Sequence, residues 1–254
     1  MRANQALAKL RAGGVLSGPL MVYDSPDMIA QVADMGFDWV WLDWQHGQFT
    51  ETTLNAALGQ LLGAGHVPLV RVWGHEPGVI NRVLDMGAFG VVVPMVQNAE
   101  EARAVVQAAY YPPQGQRSGG GVRLGTLGGV GGPAEYFAHA NDEIMVIVMV
   151  ETEAAIARVS EIMQVPGVDV VFIGPGDLML DVRANGHDAA YHEALVLQVA
   201  AASKETGTVA GYACGSREEA EQRIAQGFRF LSYGSDSRVV QAGFQQLRDE
   251  SQDW

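Results

Sequence analysis

The sequence predicts a (β/α)8 barrel, and three observations lead there. Eight short runs rich in β-branched residues alternate with helical stretches over 254 residues, the size such a barrel takes. Several runs, VIVMV and VDVVFI among them, are apolar throughout, as parallel strands covered on both faces are. Gly36, Gly65, Gly87, Gly207 and Gly227 stand at the ends of helical stretches just before the next strand, where a left-handed helix cap belongs. A doubly wound sheet is the competing arrangement, but the number and size of the units fill a barrel without leftover.

In chain order, the first strand is read at Val15–Tyr23 and its helix at Pro26–Met35, started by Asp24-Ser25-Pro26, a cap followed by a first-turn proline. Trp39–Asp43 and Thr50–Gly63 form the second unit, Val67–Val72 and Pro77–Met86 the third, Gly90–Pro94 and Ala99–Ala109 the fourth. Met145–Glu151 is followed by a helix at Thr152–Met163, and Val168–Gly174 by Ala189–Thr206. Thr208–Tyr212 precedes Ser216–Gln226, where Gly215-Ser216 supplies the cap, and Phe230–Tyr233 precedes Asp236–Arg248. Inside the fourth unit, Gln116–Gly132 holds a large share of the 31 glycines and reads as an active-site loop. No linker or shift of composition interrupts the chain, so residues 1–254 read as one domain.

Composition narrows the function. Hydrophobic residues make up 48% and charged residues 18%, enough for a sizeable core and against global disorder. The 29 acidic residues outnumber the 16 basic ones, giving −13, which argues against a nucleic-acid surface. Cys214 stands alone, so neither a disulfide framework nor a cysteine-rich metal site is expected. The first residues form a short amphipathic segment without the apolar stretch of a secretory signal, and the longest apolar run, Ile144 to Val150, is too short for a membrane span. The expectation is a cytoplasmic globular protein.

A barrel concentrates its chemistry at the C-terminal ends of its strands. There the sequence places Asp43-Trp44-Gln45-His46-Gly47, Arg71, Pro94 and Met95 with the Arg117 loop beyond, Glu151, and Gly174-Pro175-Gly176-Asp177. Polar groups at so many ends are costly to bury unless paired, so they are expected to converge. Glu151 and Asp177 suit one hard divalent cation; equally, two carboxylates serve as a general acid/base pair, or as an ion pair and a helix cap. A carboxylate near His46, Asp43 or Asp85, would hold its imidazole as a general base, whereas His66, His75, His139, His187 and His192 read as loop or surface residues. Arg71 suits an anionic carboxylate or a developing enolate oxygen, and the Gly174-Pro175-Gly176 turn offers N–H groups to an anion.

These residues resemble a known family. Phe37-Asp38-Trp39 through Asp43-x-x-His46-Gly47, Gly90-Val-Val-Val-Pro94-Met95-Val96, Tyr111-Pro112-Pro113-x-Gly115-x-Arg117, Val150-Glu151-Thr152 and Gly167-Val168-Asp169-x-Val171-Phe172-Ile173-Gly174-Pro175-x-Asp177-Leu178 follow in order with matching spacing. Over almost its whole length the chain is similar to the metal-dependent (class II) pyruvate aldolases of the HpcH/HpaI, or 4-hydroxy-2-oxo-heptanedioate aldolase, family. The resemblance implies a barrel of the phosphoenolpyruvate/pyruvate-domain type with Mg²⁺, Mn²⁺ or Co²⁺ on Glu151 and Asp177. It implies Arg71 at the keto or enolate oxygen, and His46 as base through a metal-bound water, oriented or tuned by Asp43 and Asp85. The Gly174 and Gly176 backbone would hold the pyruvate carboxylate. Homohexamers with a swapped C-terminal helix and a place in the catabolism of aromatic compounds are implied as well. The chain departs from the family at Met149, where Gln is common, and at Gln45, Gly176 and the bulky Trp44. Those departures surround the core chemistry without removing it and leave the aldehyde partner open; Trp44, Leu124 and Tyr212 are candidates for that end of the pocket.

The implied reaction is reversible cleavage of a 4-hydroxy-2-oxo acid into pyruvate, or hydroxypyruvate, and an aldehyde. Lys9 and Lys204 are the only lysines and neither stands at a strand end, which argues against a Schiff base; no organic cofactor is expected. Two other readings are a metal-dependent lyase of malyl- or citryl-type coenzyme A thioesters, and a barrel that binds an oxo acid without turning it over.

Overall fold

In the computed structural model, which describes residues 1–121, 123–127 and 131–252, eight parallel strands close on themselves. They are β1 (Leu16–Met21), β2 (Val40–Asp43), β3 (Pro68–Arg71), β4 (Gly90–Val93), β5 (Met145–Val150), β6 (Val170–Ile173), β7 (Val209–Cys214) and β8 (Phe230–Ser235). Each pairs with the next in sequence, and β8 returns to β1. All eight lie where the apolar runs predict them.

The register decides which residues face the axis. Trp41 pairs with Leu69 and Asp43 with Arg71; Arg71 pairs with Val92, Val92 with Ile147, and Met149 with Phe172. Because side chains alternate along a strand, Trp41, Asp43, Arg71, Met149, Glu151, Phe172 and Phe230 share the inner face. The interior is filled by rings: Trp39 stacks on Phe230 at 4.8 Å, and Trp41 meets Phe172 edge-on at 5.1 Å, the offset and edge geometries that aromatic quadrupoles favour. Gly18 and Gly211 clear the space, since a Cβ at Gly18 would run into the Trp39 ring and one at Gly211 would come 2.6 Å from Phe172.

The structure refines the helices. Thr152–Met163 divides into Glu153–Ile156 and Val159–Met163, and among the described residues helices not foreseen appear at Leu124–Leu127, Gly132–Glu143 and Pro175–Ala184. An N-terminal helix, Gln5–Arg11, is capped by buried Asn4, whose amide also donates to the carbonyls of Phe89 and Glu143. The glycine-rich segment departs further from expectation. Gly121 lies against Asp85, Arg123 donates to the Asn55 side chain at 3.0 Å, and Leu127 accepts from Arg2. These contacts hold its described part at the N-terminal mouth, opposite the strand ends. Val122 and residues 128–130 of that expected loop lie outside the described residues.

Gly18→Ala tests the ring-filled interior. Overpacking should cost about 1–3 kcal/mol and lower the thermal midpoint; an unchanged midpoint would show that Trp39 does not need this space.

Candidate active site

Asp43 and Arg71 end neighbouring strands at the same level, and their side chains form a two-pronged ion pair. Arg71 donates from Nε to Oδ1 at 2.9 Å and from Nη2 to Oδ2 at 2.6 Å. The Asp43 carboxylate is buried and the Arg71 side chain only 12% exposed. The guanidinium also lies over Trp41, 5.9 Å from the ring centre, which fixes its height above the aromatic floor. Its Nη1 has no acceptor among the described residues and remains for a ligand.

Asp43 acts on His46 in a different way from the one expected. Its Oδ1 accepts from the backbone N–H groups of Gln45 and His46, at 3.1 and 3.2 Å. It therefore shapes the turn that presents His46, and among the described residues the imidazole has no hydrogen-bond partner. His46 itself is exposed, open to a substrate. Asp85 lies elsewhere in the single chain. It ends the helix Pro77–Asp85, which runs back from the mouth to the start of β4, and it binds Arg117 at 2.6 Å. Among the described residues of this chain it makes no hydrogen bond to His46, and its partner is Arg117.

Glu151 follows β5 on the axis side and is 2% exposed. Its Oε2 accepts from the backbone N–H of Met95 at 2.8 Å, presented by a left-handed conformation of Met95 (φ 57°). Burial pushes the Glu151 carboxyl up to about 7; the neighbouring Asp177 carboxylate adds to this, while the Met95 N–H and Arg71 oppose it. Across the gap, Gly174 leaves room for the carboxylate, since a Cβ there would collide with Glu151 Oε1. Gly174 is also the N-cap of the helix Pro175–Ala184, and it offers no capping side chain. Gly176 and Asp177 stand in the first turn, where N–H groups lack partners within the helix and the dipole favours an anion. Asp177 is exposed at the mouth rather than being the cap itself. Met149 lies buried one layer below Glu151.

This arrangement fits a divalent cation. A buried carboxylate with a second one beside it lacks positive charge, and the Gly174 cradle keeps one Glu151 oxygen clear. Among the described residues no cluster of three or more His, Cys, Asp or Glu side chains could hold a metal. Two carboxylates would leave the remaining positions to water and substrate oxygens, as Mg²⁺ usually does.

Sequence reasoning missed three features of this region. Trp73 packs on Trp44 at 4.1 Å between ring centres. Buried Asp236 accepts from the backbone of Val22 and Tyr23, at 3.0 and 2.9 Å, and so ties the β8 end to β1. His192, read as a surface residue, is 6% exposed. An aromatic two residues past a strand-end arginine could have drawn attention to Trp73; nothing local marks Asp236 or His192. Tyr212 faces outward beneath Arg223, 4.4 Å from its ring centre, and Leu124 begins a short helix in the glycine-rich segment at the other mouth, so within this chain neither lines the site. Lys9 pairs with Asp38 at 2.7 Å, and Lys204 lies in the last turn of its helix.

The HpcH/HpaI aldolase/citrate lyase family model matches residues 20–242. The chain belongs to this family. It is 37% identical to a 4-hydroxy-2-oxovalerate aldolase of Novosphingobium aromaticivorans, over 94% of this chain and 91% of that one. With a hydroxypyruvate/pyruvate aldolase of Roseovarius nubinhibens it shares 36% identity, over 92% and 91%. An HpcH/HpaI aldolase structure from Desulfitobacterium hafniense superposes with a TM-score of 0.88 at 28% identity, covering 97% of this chain and 96% of that one. The family member described here is accordingly an enzyme, a carbon–carbon lyase of the aldolase kind. No described helix is long and apolar enough to cross a membrane.

Two glycines separate packing from chemistry. Gly174→Ala should displace Glu151 and lower kcat/KM about 10²-fold, the usual penalty for a misplacement near 1 Å, whereas a Cβ at Gly176 meets nothing within 4 Å and Gly176→Ala should stay within a few-fold. Equal losses in steady-state kinetics would contradict the cradle.

Proposed function

We propose that the protein is a class II aldolase that reversibly cleaves 4-hydroxy-2-oxo acids into pyruvate or hydroxypyruvate and an aldehyde, with residues 1–254 acting as one barrel domain. The observation that carries this reading is the convergence of buried Glu151, the Asp43–Arg71 pair and the Gly174–Asp177 turn on one rim. Glu151 and Asp177 would hold Mg²⁺, Mn²⁺ or Co²⁺, which supplies Lewis-acid polarisation of the substrate's keto and carboxylate oxygens.

The chain's own residues do the rest. The first-turn N–H groups at Gly176 and Asp177 receive the substrate carboxylate at a helix N-terminus, with Gly174 and Pro175 shaping the turn. His46, exposed beside them, takes the C4-hydroxyl proton through water. As the C3–C4 bond breaks, the electron pair moves onto the 2-oxo group to give an enolate, and the free Nη1 of Arg71 faces its developing charge. Asp43 keeps that guanidinium aimed. Protonation at C3 completes the ketoacid, and the aldehyde leaves on the His46 side. The Trp41–Phe172 floor and Met149 exclude water from below, where it would screen these charges.

The oligomer belongs to the same reading. In the final helix, Asp236–Ser251, Asp236 alone is buried, while Val239, Phe244 and Leu247 are 60–70% exposed. An isolated 16-residue helix is marginal in water, so its apolar side calls for a second copy. A homohexamer with this helix swapped would supply one. Cytoplasmic location is part of this reading from the sequence features given above, and a role in aromatic compound catabolism from the family resemblance.

Pyruvate release from 4-hydroxy-2-oxo acids should vanish in EDTA and return with Mg²⁺ or Mn²⁺; release that persists in the chelator overturns the metal-dependent reading. Arg71→Lys keeps the charge near Asp43 but loses the fork, and kcat should fall by about 10²–10³, the usual loss for one preorganised donor. In sedimentation, Phe244→Asp with Leu247→Asp should shift the protein to smaller species. A hexamer unaffected by both changes would place the helix outside the interface.

A further inference from the structure

Two tryptophans stand past the ends of β2 and β3. Trp44 follows Asp43 and donates its backbone N–H to the Arg71 carbonyl at 2.9 Å. Trp73 lies two residues beyond Arg71, which carries the inner-face alternation of β3 upward to the rim. Their rings meet at 4.1 Å, tilted by 58°, and Trp73 remains 49% exposed. A paired indole surface of this kind is large, rigid and ready to bury apolar area.

The charges around it are already committed. Asp43 occupies two edges of the Arg71 guanidinium. Arg82, on the helix that follows Trp73, is paired with Glu51 at 2.7 Å, and the loop between them exposes the Glu76 carboxylate beside Gly74. Beyond Arg71, whose free Nη1 is taken up by the enolate oxygen in the proposed reaction, an anionic group on this flank would find no unengaged arginine or lysine among these residues and would meet Glu76. The opposite flank differs in charge: there Arg238 and the hydroxyls of Ser232 and Ser235 share a cleft with Pro175, Leu20 and Ala213, so a cation is present.

We infer that Trp44 and Trp73 form the aldehyde-side wall of the pocket and select an apolar aldehyde, aromatic or alkyl, over an anionic one. The inference rests on the aldolase reading with His46 as proton acceptor. His46 sits in the turn that begins at Trp44, so the C4 substituent, which becomes the aldehyde, leaves along this flank rather than toward Arg238. Trp73 is then a specificity-determining residue, and the bulk of Trp44 has a use in shaping this wall.

The test uses the full-length, Mg²⁺-loaded enzyme with pyruvate as donor and a panel of benzaldehyde, hexanal, glyoxylate and succinic semialdehyde. The parent should favour the apolar pair by about tenfold or more in kcat/KM, the scale on which an apolar pocket discriminates. Trp73→Ala should erase most of that preference through a raised KM, and Trp73→Phe should restore most of it. A parent that prefers the anionic pair, or a Trp73→Ala enzyme that loses the same factor on all four aldehydes, overturns the wall. Deuterium exchange at the pyruvate methyl in D₂O needs no aldehyde and separates the two levels. A parent that exchanges without apolar preference loses only the wall, whereas one that does not exchange takes the aldolase reading down with it.

Discussion

The ion pair between Asp43 and Arg71 is the constraint on which the rim depends. It lies at the ends of two adjacent strands whose register puts the residues side by side. Breaking a buried pair of this kind typically costs about 3–5 kcal/mol, because the remaining charge is stranded. One carboxylate here performs three tasks: it neutralises the guanidinium, holds it in a fork that leaves Nη1 without an acceptor, and accepts the backbone N–H groups of the turn that carries His46. Position, charge and loop shape are coupled through a single side chain, so a substitution of Asp43 or Arg71 has both a structural and a chemical effect.

Beneath this pair the barrel is closed by rings. Trp39, Trp41, Phe172 and Phe230 come from three strands and the lead-in to β2, and they fit because Gly18 and Gly211 face them without a Cβ. The ring layer leaves polar groups on the axis to the mouth, where solvent and ligand reach them. It also accounts for the height at which Arg71 rides, above Trp41.

Glu151 shows how a strongly acidic protein could accept the anionic oxo acids proposed as its substrates. The excess of acid over base, −13 overall, concerns solubility and long-range field. At the rim, burial has already pushed Glu151 up to about 7, and the adjacent Asp177 makes a third negative charge unfavourable unless a cation intervenes. Local positive potential from Arg71 and the helix N-terminus, together with the cation that the carboxylates would hold, outweighs distant surface charge, because screening over about 8–10 Å removes most of the latter.

The sequence by itself determined the eight strands, their parallel arrangement and the residues that end them, because apolar runs and helix-closing glycines are local signals set by backbone conformation and burial. It also singled out Asp43, His46, Arg71, Glu151 and Asp177 as the polar groups at those ends. Only the tertiary structure decided how they engage one another. Asp43 went to Arg71 and to a backbone turn instead of the imidazole. Asp85 and the glycine-rich segment went to the far mouth, since a helix returning from a strand end carries its last residue away from the rim. Trp73, Asp236 and His192 emerged only when elements distant in sequence came together. A pairing partner is fixed by register and closure of the sheet, which couple residues tens or hundreds of positions apart, and no local pattern records that choice.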